Sequence, residues 1–330
     1  MTHPNRRKVL QFGMAAATAG GLLPLTVAAQ NIPDSARILV GFPAGSSLDV
    51  ISRLIAERLT GKLAKAVVVD NRPGAGGRIA AEVSLQAPPD GTTLLFNPGG
   101  LLVINPHIFK KMSFDPFKDF VPLTLTATFN FAFGVGPAVP ADVKNLEQFA
   151  AWIKANPSKA AYGSPAPGSP THFVGHAINS ALGLNMTHIG YKGGGPAMND
   201  LMGGQLAALV MTEGDYLTHA RTGRVRVLAV SGKGRSRFFP DVPNLTEQKI
   251  PGLEDREWYG MYIGGKPSAA VVNRVGGLVR EVTQSREYVL TLNNMGFEAA
   301  SSTPQELDRL AREGLKKWEP LVKATGFQGD

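Results

Sequence analysis

The chain has 330 residues, 43% hydrophobic and 18% charged, a composition of globular proteins at a length that suits about two domains. It has no cysteine, which excludes disulfides, thiolate catalysis and cysteine-ligated metals. The net charge of +8 is scattered rather than gathered beside stacking aromatics, so it fits small anionic ligands better than nucleic acid.

Residues 1–29 read as a signal peptide. Arg6, Arg7 and Lys8 precede an Ala/Gly-rich apolar run, and Val27-Ala28-Ala29 forms a small-residue cleavage site. The arginine pair followed by Lys8, Val9 and Leu10 resembles a twin-arginine export signal; an ordinary Sec leader is the alternative. Gln11, the glycines and Pro24 keep the run short of a membrane span. The expectation is export to the periplasm, with no stable membrane insertion of the mature chain.

From Arg37 the pattern alternates. "RILVGF" reads as a strand, and Ile51, Leu54, Ile55 and Leu59 mark one buried helix face. "KAVVVDN" is the next strand, "RPGAGG" a turn, residues 78–86 a helix stopped by "PPDG", and "TTLLF" a third strand. This β-α-β-α-β order implies a parallel sheet with right-handed crossovers. A second series runs from "FAFGV" through "NLEQFAAWIKAN", "AAYG", "THFVGHAINSAL", "MTHIGY", "PAMNDLMGG", "AALVM" and "DYLTHARTG" to "VRVLAVS". "EWYGMYIGG" reads as an extended return crossing, followed by two long helices over 269–295 and 304–325. The expected fold is α/β with two lobes, each a mostly parallel sheet flanked by helices. Lobe one takes 30–130 plus 255–330 and lobe two 131–254.

The junctions between strands and helices carry the chemistry. In "GFPAGSSLD", Ser46 or Ser47 suits a helix cap, and Asp49 follows Ser46 at capping-box spacing. Pro43, Ala44 and Gly45 leave the backbone sterically open, and a helix start offers unpaired N–H donors with partial positive charge. Such a turn is an anion site that needs no charged side chain, although glycine in a tight βα turn is also explained by geometry alone. "PGAGGRIAAE", "GSPAPGSPTHF" with Thr171 as a cap, and "YKGGGPAMND" repeat the arrangement. In parallel sheets these junctions lie at the carboxyl ends of the strands, where ligands bind. One exposed helix start is too weak for micromolar affinity, about 8 kcal/mol. Two lobes closing on one carboxylate reach it by adding hydrogen bonds of roughly 1.5–3 kcal/mol each.

Enzyme signatures are missing: there is no G-x-S-x-G elbow, no phosphate-binding P-loop and no G-x-G-x-x-G. His172 and His176 have chelating spacing but lack a third ligand; His172 suits a cap or a ligand-facing position better. No catalytic residue, metal or cofactor is therefore expected. Lys192 is either a cationic ligand contact or a loop lysine in solvent. Glu213 and Asp215 are either caps or the receiver of a ligand amine.

Several segments in register resemble the periplasmic solute-binding receptors of tripartite tricarboxylate transporters, the Bug family. They are "GFPAGSSLDVISRLIAERL", "VVVDNRPGAGGRIAAE", "PPDGTTLLF", "INPHIFKKMSFDPFKDF", "GYKGGGPAMNDLMGGQ", "FFPDVPNLTEQKIPGLE" with "WYGMY", and "STPQEL" with "KKW". The resemblance covers the whole mature chain. It implies a two-lobed periplasmic-binding-protein-like fold that closes on a small carboxylate, as a monomer serving membrane permease subunits. By matching motif, it places ligand contacts at Phe42, Ala44, Gly45, Ser46 and Ser47 with Asp49. In the second lobe it places them at Ser164, Gly168, Ser169, Thr171, His172, Lys192 and Gly193, with Asn97 on another cleft loop. The chain departs from the family pattern at Ser46, at Pro165, Pro167 and Pro170, at His176, and at Leu206-Ala207. Phe129, Phe131 and Tyr216 line either a distal pocket or the core. A ligand sensor for a signalling partner and an exported α/β hydrolase are the alternative functions.

Overall fold

The computed structural model describes residues 32–329; the signal-peptide reading falls outside them. The chain opens with β1 (Ser35–Val40), α1 (Ser47–Leu59), β2 (Ala66–Asn71), α2 (Arg78–Leu85) and β3 (Thr93–Pro98). Two one-turn helices, α3 (Gly100–Val103) and α4 (Asn105–Ile108), lead to β4 (Phe120–Phe129). Past Asn130 come β5 (Phe131–Val135), α5 (Leu146–Ala155), β6 (Ala161–Ser164), α6 (Pro170–Ala181) and β7 (Thr187–Gly190). Next are α7 (Gly194–Met202), β8 (Ala208–Thr212), α8 (Glu213–Arg221) and β9 (Arg226–Val230). The return comprises β10 (Glu257–Gly264), α9 (Ala269–Gln284), α10 (Arg286–Asn294), β11 (Glu298–Ala299) and α11 (Pro304–Lys323).

These strands form two sheets, ordered β11-β4-β10-β3-β1-β2 and β7-β6-β8-β5-β9. Within the first, β1 pairs in parallel with β2 and β3, as the β-α-β-α-β pattern requires. The other half is antiparallel: β10 runs between β3 and β4, and β11 pairs with β4. The second sheet divides the same way, with β6 parallel to β7 and β8, and β5 antiparallel to β8 and β9. Both sheets are thus mixed rather than mostly parallel. The cause is that β4 and β5 follow one another with only Asn130 between them, and β10 comes back from the second sheet without a crossover helix.

β4 is the element that periodicity does not announce. Its sequence, FVPLTLTATF, holds a proline, and it pairs with β10 through two register shifts that leave Leu123 and Thr126 as extra residues. Pro122 sits beside one such bulge, where its missing N–H is tolerated. The helical stretch 269–295 is two helices, because Ser285 stops α9 and caps α10, its Oγ accepting from Tyr288 N at 3.3 Å. α11 starts in a full capping box, in which Thr303 and Glu306 satisfy each other's backbone N–H groups.

The core follows the expected faces. Ile38, Leu39 and Val40 on β1 and Ile51, Ile55 and Leu59 on α1 have no solvent exposure, each contributing roughly 1.5–3 kcal/mol by burial. α9 and α11 pack on β4, so the C-terminal helices complete the first sheet. No helix among the described residues is long and apolar enough to cross a membrane.

Candidate functional site: a cavity between two sets of helix starts

A cavity of about 480 Å³ opens where α1 of the first sheet faces α6, α7 and α8 of the second. The loop before α1 is built around Asp49. Gly45 N–H donates to Asp49 Oδ2 at 2.9 Å, and Asn71 Nδ2 donates to Oδ1 at 2.9 Å and to Phe42 O at 3.1 Å. Arg53, one turn on, adds Nε to Oδ2 at 3.1 Å. Burial pushes the Asp49 carboxyl up, but the bonds from Arg53, Gly45 and Asn71 outweigh it and hold it below the usual carboxylate range. Gly45 has φ of +82°, a left-handed conformation that glycine adopts without strain. Ser46 caps the helix, accepting from Asp49 N at 3.3 Å. The first-turn N–H groups of Ser47 and Leu48 remain open to the cavity, with no acceptor among the described residues.

The loop before α6 reaches a similar result without charge. Ser169, rather than Thr171, is the cap; its Oγ accepts from His172 N at 3.4 Å and shares a hydrogen bond with Thr171 Oγ1 at 2.8 Å. Gly168, at φ +71°, donates its N–H to His172 Nδ1 at 3.2 Å, so that nitrogen carries no proton. The His172 ring stacks on His188, with centroids 3.8 Å apart and planes at 17°. His188 Nε2 in turn meets Ser164 Oγ at 2.8 Å. Burial pushes both imidazoles down to about 4, with the charges of His188 and His176 adding to the effect at His172. The prolines of this loop pin it in place: a Cβ on Gly190 would lie 2.4 Å from Pro167, and one on Gly100 would lie 2.9 Å from Pro170 across the cleft. At the third start, Gly193 N–H is used by Pro165 O at 2.8 Å, whereas Gly194 and Gly195 face the cavity beside exposed Lys192.

Of the residues expected to touch a ligand, Phe42, Ala44, Gly45, Ser46, Ser47, Ser169, Thr171, Lys192 and Gly193 border this cavity. Five do not. Asp49 is spent bracing the first loop from behind, and Ser164, Gly168 and His172 form the hydrogen-bonded support behind the second. Asn97 is fully buried beneath the first loop, where a Cβ on Gly41 would meet its Oδ1 at 2.8 Å. Phe129 and Phe131 border the cavity, while Tyr216 is core and bonds Leu209 O.

Sequence reasoning did not find Met198, Met211, Thr212, His219, Glu257 and Tyr259, which complete the wall. Glu257 and Tyr259 share one face of β10 by period-two alternation, but only the antiparallel return of that strand brings them to α1. Tyr259 Oη lies 3.3 Å from Ser47 Oγ. Burial pushes Glu257 up to about 7 against the opposing pull of Lys317 and Trp318. Among the described residues no three His, Asp or Glu side chains gather in a way that would hold a metal ion.

This architecture has clear relatives. Residues 51–327 match the family model described as tripartite tricarboxylate transporter family receptor. The chain is 32% identical over 292 residues to a UPF0065 protein of Bordetella bronchiseptica, covering 88% of this chain and 86% of the relative. The solved structure of the periplasmic binding protein BugD superposes with a TM-score of 0.81 at 26% identity, over 89% of this chain and 98% of that one. R. palustris Rpa4515 with adipate gives a TM-score of 0.83 at 26% identity, with the same coverages of 89% and 98%. The chain therefore belongs to the tripartite tricarboxylate transporter receptor family, the Bug proteins.

Proposed function

We propose that this chain is a periplasmic receptor that captures a small organic carboxylate between two lobes and presents it to membrane permease subunits of a tripartite transporter. The reading is that of a binding protein without catalysis, exported by the leader at residues 1–29. One observation carries it: the open starts of α1, α6 and α7 converge on one cavity from two different sheets. Backbone N–H groups at helix starts, strengthened by the helix dipoles, suit a carboxylate and need no counter-ion. The solved relative with adipate is in keeping with that chemistry. Lobe one then comprises 30–130 with 255–330 and lobe two 131–254. The chain crosses at Asn130 and just before Glu257, and those two strands serve as the hinge.

The test is a thermal-shift screen with mono-, di-, tricarboxylic and aromatic acids, since a ligand that binds only the folded state raises its melting point. At least one class is expected to do so. Replacing Gly45 by valine puts a β-branched residue at φ +82° and its bulk into the cavity mouth, and is expected to abolish the shift while the protein stays folded. The function is refuted by a screen in which no acid shifts the wild type, and the site by a valine variant whose shift is undiminished.

A further inference from the structure

The carboxylate reading accounts for the donor side of the cavity and leaves two acidic wall residues, Glu257 on β10 and Asp215 on α8, without a purpose. Asp215, in the first turn of α8, borders the cavity. Thr212 Oγ1 donates to its Oδ2 at 2.7 Å, and beyond Thr212 no described residue donates to this carboxylate. His219, one helical turn later on the same face, borders the cavity too. Phe129, Phe131, Met198 and Met211 supply an apolar part of the same wall. A carboxylate against an apolar wall without a nearby cation is an incomplete set, because its lost hydration is not replaced. Burial pushes its pKa up to about 6, which still leaves it largely ionised at neutral pH.

Two ligand ends are distinguished by such a group. The second carboxylate of a diacid would meet like charge, whereas an ammonium or protonated ring nitrogen would supply both the missing charge and the missing donors. The two poles of the cavity are also close: Tyr259, whose hydroxyl meets Ser47 at the donor side, lies near enough to feel the charge of Asp215. We propose that the ligand is a short zwitterionic acid, its carboxylate held by the helix starts and its cationic N–H group received by Asp215. This rests on the carboxylate reading and narrows it. A helix-capping role for Asp215 would affect stability but not the choice among acids.

The experiment is calorimetric titration of the wild type and Asp215→Asn with two matched sets. One is 5-aminopentanoate, pentanedioate and pentanoate; the other is 3-(aminomethyl)benzoate, benzene-1,3-dicarboxylate and benzoate. In at least one set the amino acid is expected to bind wild type 10-fold or more tighter than its partners. The variant is expected to lose about 10- to 100-fold for the amino acid only, the weight of a charged hydrogen bond. Its unchanged affinity for the plain acid shows that it is folded. A diacid or plain acid binding wild type as tightly as the amino acid, or a variant that weakens all three alike, overturns the role of Asp215. Wild type that binds none of the six overturns the carboxylate reading, and this proposal with it.

Discussion

The two main cleft loops present the same thing, an open helix start, yet they are braced by opposite means. Behind the loop at Phe42–Ser47 stands an ionised carboxylate, Asp49, tied to Gly45, Asn71 and Arg53. Behind the loop at Ser164–Thr171 stands a neutral stack of imidazoles, His172 on His188, closed off by Phe327 from the C-terminal tail. A carboxylate can accept from a glycine N–H and a cation together, so it suits the first loop, whose Arg53 is half exposed. An unprotonated imidazole nitrogen can accept the Gly168 N–H where no charge would be tolerated. The difference teaches that a helix start fixes what the ligand sees, while the brace behind it decides which conditions the site survives.

The largest expected effect of a single substitution at neutral pH breaks the first brace. Asp49→Ala leaves the Gly45 N–H and the buried end of Asn71 without their acceptor and is expected to cost about 3 kcal/mol. Urea denaturation measures it, and a loss below about 1 kcal/mol would mean that Asp49 is not the loop's main support. The carboxyl is held below its ordinary value, so its contribution is present above the unfolded pKa and is lost as pH falls through the lower folded one.

The second brace responds to acid earlier. The folded pKa values near 4 lie below the ordinary histidine value of about 6.5. The unfolded chain therefore takes up protons first as pH falls from 6.5 towards 4. Stability is full above that window and declines through it, by up to about 1.4 kcal/mol per pH unit for each histidine. Denaturation midpoints measured from pH 7 to 4 for wild type and a His172→Asn, His188→Asn double variant should diverge, the variant having the flatter profile. Parallel profiles would remove the imidazole pair as the acid-sensitive element.

The smallest effect is expected at Lys192, an exposed residue at the cavity rim. Lys192→Gln should weaken acid binding only a few-fold, chiefly through a slower, less salt-dependent association, because an exposed charge is screened and worth about 0–1 kcal/mol. Stopped-flow association at two salt concentrations distinguishes this from a loss of more than 10-fold, which would make the lysine a direct clamp and upset the view that backbone donors dominate.

Local signals in the sequence were enough for the elements with a strong period or a cap. The α1 face of Ile51, Ile55 and Leu59, the parallel β1–β3 trio and the glycine-rich helix starts are legible because each depends on near neighbours in the chain. β4 was not legible, since a proline and two bulges erase its alternation, and the break at Ser285 fell between two amphipathic helical segments that run on from one another. Nor did motif matching separate residues that face the ligand space from those that brace it. Asp49, Ser164, Gly168 and His172 occupy cleft-loop motifs but point their bonding into the protein, and Asn97 is buried with neither side-chain amide atom bonded among the described residues.

By itself the sequence determined that there are two α/β series, that several helices begin on open backbone, and that no cysteine chemistry operates. Helix starts and strands are written over a few residues, where steric and hydrogen-bonding preferences act directly. Only the tertiary structure decided that β10 returns antiparallel and places Tyr259 beside Ser47, that Asp215 shares a cavity with α1, and that two histidines lie stacked behind one loop. Those contacts join residues far apart in the chain, and their pairing is fixed by sheet order and close packing, which no short stretch encodes.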